Sequence, residues 1–477
     1  MADGRCAARP TRGKLATMAR TWTLIDPATG EPYREVPLTT EAELAAIVAR
    51  ARQAQRAWRG VSIADRVRIV SQMPPAFRAV ADRVALEITG QMGKPLQQSG
   101  NEINTMIDRA ETMCRLAPAA LADEPLPPKE GFSRFIRHEP LGVVLDIAAW
   151  NYPLLIAVNV IVPALLAGNA VLVKHARLTP LCADHFVDAF AKTELPAGLI
   201  AAVRLDHEAT ARLIRSGEVD YVSFTGSVGG GREVYGHVGQ RFIDAGLELG
   251  GKDPAYVAED ANFDFAVENL VDGAFYNAGQ SCCAIERIYV AHGLYDRFVE
   301  AYVALVRQYR LGAPGDRATT LGPLAHEKGR RVVAEQIAEA RAAGARVLTG
   351  GKPWGDRGYF YEPTVLVDVD HRMAVMWEES FGPVIGIMPV RDDAEAIRLM
   401  NDSPYGLTAS VWTEDPERAA RLLAEVDAGT VYANRCDYLD PMLPWVGVKD
   451  SGKGCSLSHL GFRHLTRPKS FHLRTRT

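Results

Sequence analysis

Tyr221-Val222-Ser223-Phe224-Thr225-Gly226-Ser227-Val228-Gly229-Gly230-Gly231 is the stretch on which the fold turns. Tyr221 to Phe224 has strand character. It opens into a run of small residues, after which a helix continues to about Val238. Upstream, Asn169-Ala170-Val171-Leu172-Val173-Lys174 reads as a strand ending in a lysine, and Leu181 to Lys192 as a helix. Leu199 to Leu205 is a further strand and Glu208 to Arg215 a further helix. Short apolar strands alternating with helices imply a parallel sheet with helices on its faces, hence an α/β fold. Such sheets bind ligands in the crevice at the carboxyl ends of their strands. Lys174 and the Thr225–Gly231 loop both fall at such ends. Glycines there let the backbone approach a phosphate, the helix start favours negative charge, and the lysine adds a cation. The spacing is not G-x-G-x-x-G, so the loop alone could be a structural turn. Its pairing with Lys174 favours a dinucleotide site.

A second α/β run begins near Lys252, with helices expected at 262–277, 294–309, 326–343 and 392–401. Within it, Phe275-Tyr276-Asn277-Ala278-Gly279-Gln280-Ser281-Cys282-Cys283 leads into the β-prone Ile288-Tyr289-Val290. Adjacent cysteines cannot easily bond each other and lack the spacing of a zinc or redox site, so no metal is expected. The residues before them suggest a turn with room for a ligand to approach sulfur. Two α/β lobes with a cysteine in the second suggest a cleft between a Rossmann-like cofactor domain and a catalytic domain.

The remaining sequence bounds these readings. A chain of 477 residues, 47% hydrophobic and 23% charged, is an ordinary multi-domain globular protein. Its net charge of −4 offers no basic field for nucleic acid or an anionic membrane. The seven cysteines are odd in number and scattered, as expected for free thiols in a cytoplasmic protein. Residues 1–20 are expected to be a disordered extension, with Met18 as an alternative start. Thr40 should cap a helix from Glu41 to about Trp58. Helices follow through 65–116, broken at Gly93-Lys94-Pro95, and Glu124-Pro125-Leu126-Pro127-Pro128 reads as a connector. Val143 to Val173 is apolar but interrupted by Asp146, Asn151, Pro153 and Pro163, and reads as buried core.

Eight motifs occur in one order: Glu139-Pro140-Leu141-Gly142-Val143, Trp150-Asn151-Tyr152-Pro153, Lys174, Phe224-Thr225-Gly226-Ser227, Glu248-Leu249-Gly250-Gly251-Lys252, Gly279-Gln280-Ser281-Cys282, Glu379-Ser380-Phe381-Gly382-Pro383 and Lys449-Asp450-Ser451-Gly452. Together they resemble the aldehyde dehydrogenase superfamily over residues 22 to 475. The resemblance implies NAD(P)-dependent oxidation of an aldehyde to the acid. Cys282 would be the nucleophile, Asn151 an oxyanion donor and Glu248 the base that activates water to hydrolyse a thioester. Relatives that acylate coenzyme A lack this glutamate, so a free acid is the implied product. For the cofactor, NAD or NADP, it implies Lys174 and Glu379 on the ribose hydroxyls and Ser227 on the pyrophosphate. Trp150, Thr225, Gly226, Leu249 and Phe381 would complete the site.

It also implies a cofactor domain over 21–121 and 141–250 and a catalytic domain over 251–448. An oligomerisation arm would be formed by 122–140 and 460–477, making a homodimer or homotetramer. Candidates to line the aldehyde tunnel are Tyr152, Leu155, Ile156, Asn159, Tyr276, Cys283, Leu439 and Trp445. Being mostly apolar or aromatic, they suit a medium-sized aliphatic or aromatic aldehyde. Arg435 is the candidate anchor for a carboxylate if the substrate is instead a semialdehyde. A cofactor-independent cysteine acyl hydrolase is the rival from another class.

Two departures from the family pattern stand out. Arg177 occupies a position where NAD-preferring members often carry a glutamate, so NADP should be accepted or even preferred. Cys455-Ser456-Leu457-Ser458 replaces Arg-Glu-Leu-Gly, removing a second acid and throwing deacylation more heavily on Glu248.

Overall fold

The computed structural model describes residues 20–476; the expectations for 1–19 lie outside them. Two parallel sheets carry the molecule. In the first, the spatial order is Gly452–Lys453, Asp244–Glu248, Tyr221–Thr225, Val143–Ala148, Ala170–His175, Ile200–Ala202. All pairings are parallel except that of Gly452–Lys453, which runs antiparallel to Asp244–Glu248. The chain moves outward from Val143–Ala148 to Ile200–Ala202. It then returns to pair Tyr221–Thr225 on the other side, with Leu145 opposite Val222. Strand order therefore reverses at Val143–Ala148, and a crevice opens beyond its carboxyl end.

The strands Val143–Ala148 and Ala170–His175 are buried at every position. This accounts for their continuous apolar character, since helices cover both faces of such a sheet. The helix Pro153–Leu166 between them is buried almost throughout. No described helix is long and apolar enough to cross a membrane.

The second sheet is ordered Arg346–Thr349, Thr364–Val367, Val384–Val390, Ile285–Ala291, Asp253–Val257, Thr408–Trp412, Thr430–Ala433. Only the edge pair Arg346–Thr349 with Thr364–Val367 is antiparallel. A third, antiparallel sheet joins Thr466–Arg474, Phe132–Pro140 and Glu124–Pro125. In it Phe135 stacks on Phe471 with ring centroids 4.5 Å apart.

Some local readings hold, and others differ from expectation. Thr40 does cap Glu41–Trp58, with Glu43 completing a capping box. Gly93 ends Ala81–Met92 in a left-handed conformation, φ 78°. The strand expected over Leu199–Leu205 shrinks to Ile200–Ala202 at the sheet edge. Glu124–Pro125, read as connector, is a short strand, because an edge position needs no donor from proline. Gly229, Gly230 and Gly231 are not loop: they form the first turn of the helix Val228–Val238, capped by Ser227.

Candidate active site

The crevice of the first sheet is walled by residues that follow two adjacent strands. Ala149-Trp150-Asn151 leaves Val143–Ala148, and Gly226-Ser227 leaves Tyr221–Thr225. Ser227 Oγ accepts from the backbone N–H of Gly230 at 3.2 Å, so it caps the helix whose free N–H groups point toward the crevice. A cavity of about 280 Å³ lies here. Trp150, Asn151, Thr225, Gly226, Ser227, Glu248, Leu249, Cys282, Glu379 and Phe381 line it, together with His326 and Lys328, which the sequence did not single out. Trp150 meets His326 and Phe381 edge-on, at 5.3 and 5.4 Å. Lys174 and Arg177 stand apart from this cavity, at the end of Ala170–His175 and in the turn after it. Lys174 is buried, which brings its pKa down to about 8, whereas Arg177 is exposed.

The donor set fits a dinucleotide: a capped helix start, a carboxyl and a glycine-lined approach. Glu379 Oε1 accepts from the Gly251 N–H at 3.1 Å, and a Cβ on Gly250 would lie 2.4 Å from that carboxylate. Burial pushes the Glu379 carboxyl up to about 8. Its loop is held from beneath by Glu286, which accepts from the Ser380 and Phe381 N–H groups at 2.8 and 2.9 Å. Lys252 Nζ donates to the same carboxylate at 2.7 Å. Glu286 was not legible as a site residue, since it lies in an otherwise ordinary strand.

Cys282 sits in the turn before Ile285–Ala291, at the amino end of the second sheet. The turn is built on backbone that side chains resist: Asn277 and Ala278 have φ of 52° and 55°, and Gly279 has φ of 70°. A Cβ on Gly279 would fall 2.3 Å from the Gly382 carbonyl oxygen. Asn277 Nδ2 donates to the Asn151 carbonyl at 3.1 Å and to the Gln280 carbonyl at 3.2 Å. The cysteine turn and the Asn151 segment are thereby tied to each other. Among the described residues no hydrogen bond occupies the Asn151 side chain, which lies on the walls of both the cofactor cavity and the tunnel described below.

Glu248 closes the strand Asp244–Glu248, and two glycines later the chain enters the second sheet. Its Oε1 accepts from Ser456 Oγ at 2.5 Å, and its Oε2 from Thr225 Oγ1 at 3.5 Å. Burial raises its pKa, opposed by the Ser456 hydrogen bond, the Arg109 charge and Thr225. A carboxyl held above the ordinary range is suited to taking a proton from water.

A second cavity, of about 230 Å³, reaches Cys282, Asn151 and Glu248 from the other side. Tyr152, Leu155, Ile156, Asn159, Tyr276, Cys283, Leu439 and Trp445 all line it. So do Gln98, Asn101, Thr105, Arg109, Asp272 and Asp437, making the tunnel more polar than the apolar candidates suggested. The first four project from one long helix, Leu96–Ala120, whose tunnel-facing side was not distinguishable from a solvated face. Arg435 is exposed, lies over the Tyr438 ring at 3.5 Å and is absent from the tunnel walls. Tyr438 itself lines the tunnel, so the guanidinium lies beside the tunnel wall rather than in it.

The Aldehyde dehydrogenase family model matches residues 15–471. The chain belongs to that family. Among its relatives, succinate-semialdehyde dehydrogenase [NADP(+)] 1 of Mycobacterium tuberculosis is 38% identical, over 94% of this chain and 98% of its own. The succinate-semialdehyde dehydrogenase [NADP(+)] of Mycobacterium avium is 37% identical, over 94% and 95%. Of solved structures, Gox0499 superposes with a TM-score of 0.92 at 35% identity, covering 95% of this chain and 99% of its own. Staphylococcus aureus betaine aldehyde dehydrogenase with NAD+ superposes with a TM-score of 0.92 at 30% identity, covering 96% and 92%. As an aldehyde dehydrogenase the chain is an NAD(P)-dependent oxidoreductase, and the expected α/β architecture is that of its family.

Proposed function

We propose that the chain oxidises an aldehyde bearing a carboxylate at its far end to the free diacid, with NADP accepted as hydride acceptor. The observation that carries the reading is that Cys282, Asn151 and Glu248 all lie on the wall shared by the cofactor cavity and the tunnel. Cys282 Sγ adds to the aldehyde carbon. The Asn151 amide and the Cys282 N–H donate to the oxygen as it becomes negative; such a donor is worth about 3 kcal/mol in the transition state. A dinucleotide bound in the cofactor cavity would supply the hydride acceptor that turns the tetrahedral adduct into the Cys282 thioester. Glu248 then takes a proton from the water that attacks the Cys282 thioester, and the acid leaves through the tunnel.

The residues offered to the cofactor are Trp150, Thr225, Gly226, Ser227, Leu249, Glu379 and Phe381, with Lys174 and Arg177 at the outer end. An exposed arginine where a repelling carboxylate would exclude a 2′-phosphate supports NADP. Both mycobacterial relatives carry NADP(+) and succinate semialdehyde in their names. Together with the polar tunnel, this favours the semialdehyde over the medium-sized apolar substrate. An acyl hydrolase would have no use for a large cavity opening on its cysteine from the side opposite the tunnel. Free thiols support a cytoplasmic setting, and the arm sheet supports a homodimer or homotetramer.

The test is a panel of aldehydes and semialdehydes with NAD and NADP, read by reduced-cofactor absorbance, with Cys282→Ala as the blank. Thioester hydrolysis without absorbance change would install the hydrolase reading instead.

A further inference from the structure

Among the described residues Arg109 is the one cation on the tunnel walls, and it has no ion-pair partner there. It is 5% exposed, and its side chain comes off the helix Leu96–Ala120 into the tunnel wall. Nη1 donates to Asn159 Oδ1 at 3.2 Å and, more weakly, to the Leu155 carbonyl at 3.4 Å. Nε is buried without any hydrogen-bond partner, and among the described residues no carboxylate forms an ion pair with the guanidinium. Several other buried cations of this fold are answered; among the described residues Lys174 likewise has no ion pair and Arg66 keeps an unpartnered Nε, but neither lines the tunnel. Lys94 is paired with Glu102, Lys252 with Glu286, and Arg287 donates to the carbonyls of Lys252, Leu399 and Met400.

A buried guanidinium with no counter-ion is costly, and its planar fork matches a carboxylate in a way no lone ammonium does. We infer that Arg109 is the specificity-determining residue of the tunnel, and that it receives the carboxylate of a short semialdehyde whose other end reaches Cys282. The inference rests on the semialdehyde reading proposed above. Asn159 is the positioning residue: its Oδ1 holds one arm of the fork and fixes the plane of the guanidinium. The acidic groups on the same walls make no ion pair with it: Glu248 feels the Arg109 charge, but its carboxylate is hydrogen-bonded to Ser456 and Thr225. Glu102 is engaged by Lys94 and by the Leu154 N–H. Asp437 accepts from Ser281 Oγ and Cys283 Sγ, at 2.8 and 3.1 Å. Asp272 and Asp437 are both pushed toward their neutral forms by burial. A substrate of the opposite charge, such as an aminoaldehyde, would look to those two carboxyls and would be repelled by Arg109.

The experiment compares 4-oxobutanoate, its neutral methyl ester and 4-aminobutanal on the wild-type enzyme, Arg109→Met and Arg109→Lys. Thermal shifts with succinate and with succinamide give a readout independent of turnover. The wild type should favour the acid over the ester in kcat/KM by about tenfold or more. Arg109→Met should bring that ratio to about one and abolish the succinate shift, while Arg109→Lys keeps part of both. A ratio unchanged in Arg109→Met, or a wild type that prefers the ester or 4-aminobutanal, overturns the inference. If Arg109→Met does not fold, the wild-type acid-to-ester ratio and the succinate-to-succinamide difference decide. Should no aldehyde be oxidised at all, the proposed function fails, yet the succinate shift still reports on Arg109.

Discussion

Two adjacent thiols meet opposite surroundings at the site. Cys283 is 2% exposed and donates to Asp437; its contact with the Cys282 sulfur and its burial both push its pKa up. Cys282 is left facing both cavities. Glu248 is governed by a similar balance, in which burial lifts its pKa and Ser456 pulls it back. Only the ionised carboxylate can act as a base, so activity should fall as pH drops through that raised pKa. Ser456→Ala removes a donor to the charged form and raises the pKa further. We predict that the acid limb of the kcat profile moves to higher pH, with a loss of about tenfold at neutral pH. An acid limb that stays in place would mean that Ser456 does not govern the base. Arg177→Glu, at the cofactor's outer end, should lower kcat/KM with NADP and leave or raise it with NAD. A gain with NADP would sink the proposed preference.

At the scale of elements, the turn before Ile285–Ala291 is held by shape rather than by sequence pattern. Gly279→Ala would put a methyl 2.3 Å from the Gly382 carbonyl at a φ of 70°. We predict a loss of more than about 2 kcal/mol in stability, read as a fall in Tm, together with a greater loss of kcat than of cofactor binding. Unchanged Tm and kcat would show that the loop yields. What the sequence made legible follows from such local rules. Thr40 with Glu43 announces a helix start, and buried parallel strands such as Val143–Ala148 announce themselves as apolar runs. Motif order brought out Cys282, Asn151 and Glu248 as well. Arg109, Asp272, Asp437 and Glu286 stayed hidden because a polar residue on a helix, strand or loop looks the same whether it faces water, a tunnel or a buried partner. The small residues after Thr225 were misread as loop for a related reason: a Ser227 cap outweighs three glycines in a helical turn, which composition alone does not reveal.

The whole molecule sets the carboxyl end of one parallel sheet against the amino end of another. Glu248 ends a strand of the first, Cys282 precedes a strand of the second, and Gly250-Gly251 carries the chain between them. A Cβ on Gly251 would lie 2.5 Å from the Cys282 carbonyl oxygen, so the link that leaves Glu248 runs directly against Cys282. Both sheets that could extend the assembly end in open edges. Thr430–Ala433 is the last strand of the second sheet, with Val431 39% exposed, and Thr466–Arg474 is an outer strand of the arm. Exposed edges of this kind invite pairing, and a small antiparallel arm has little core of its own to hold it. We therefore predict that the full chain sediments as a dimer or larger at micromolar concentration. Val431→Glu places a charge on the free edge strand, and should shift the distribution toward monomer while lowering Tm. Sedimentation of the wild type as monomer alone would remove the oligomer proposal, and an undisturbed dimer in Val431→Glu would move the interface away from that edge.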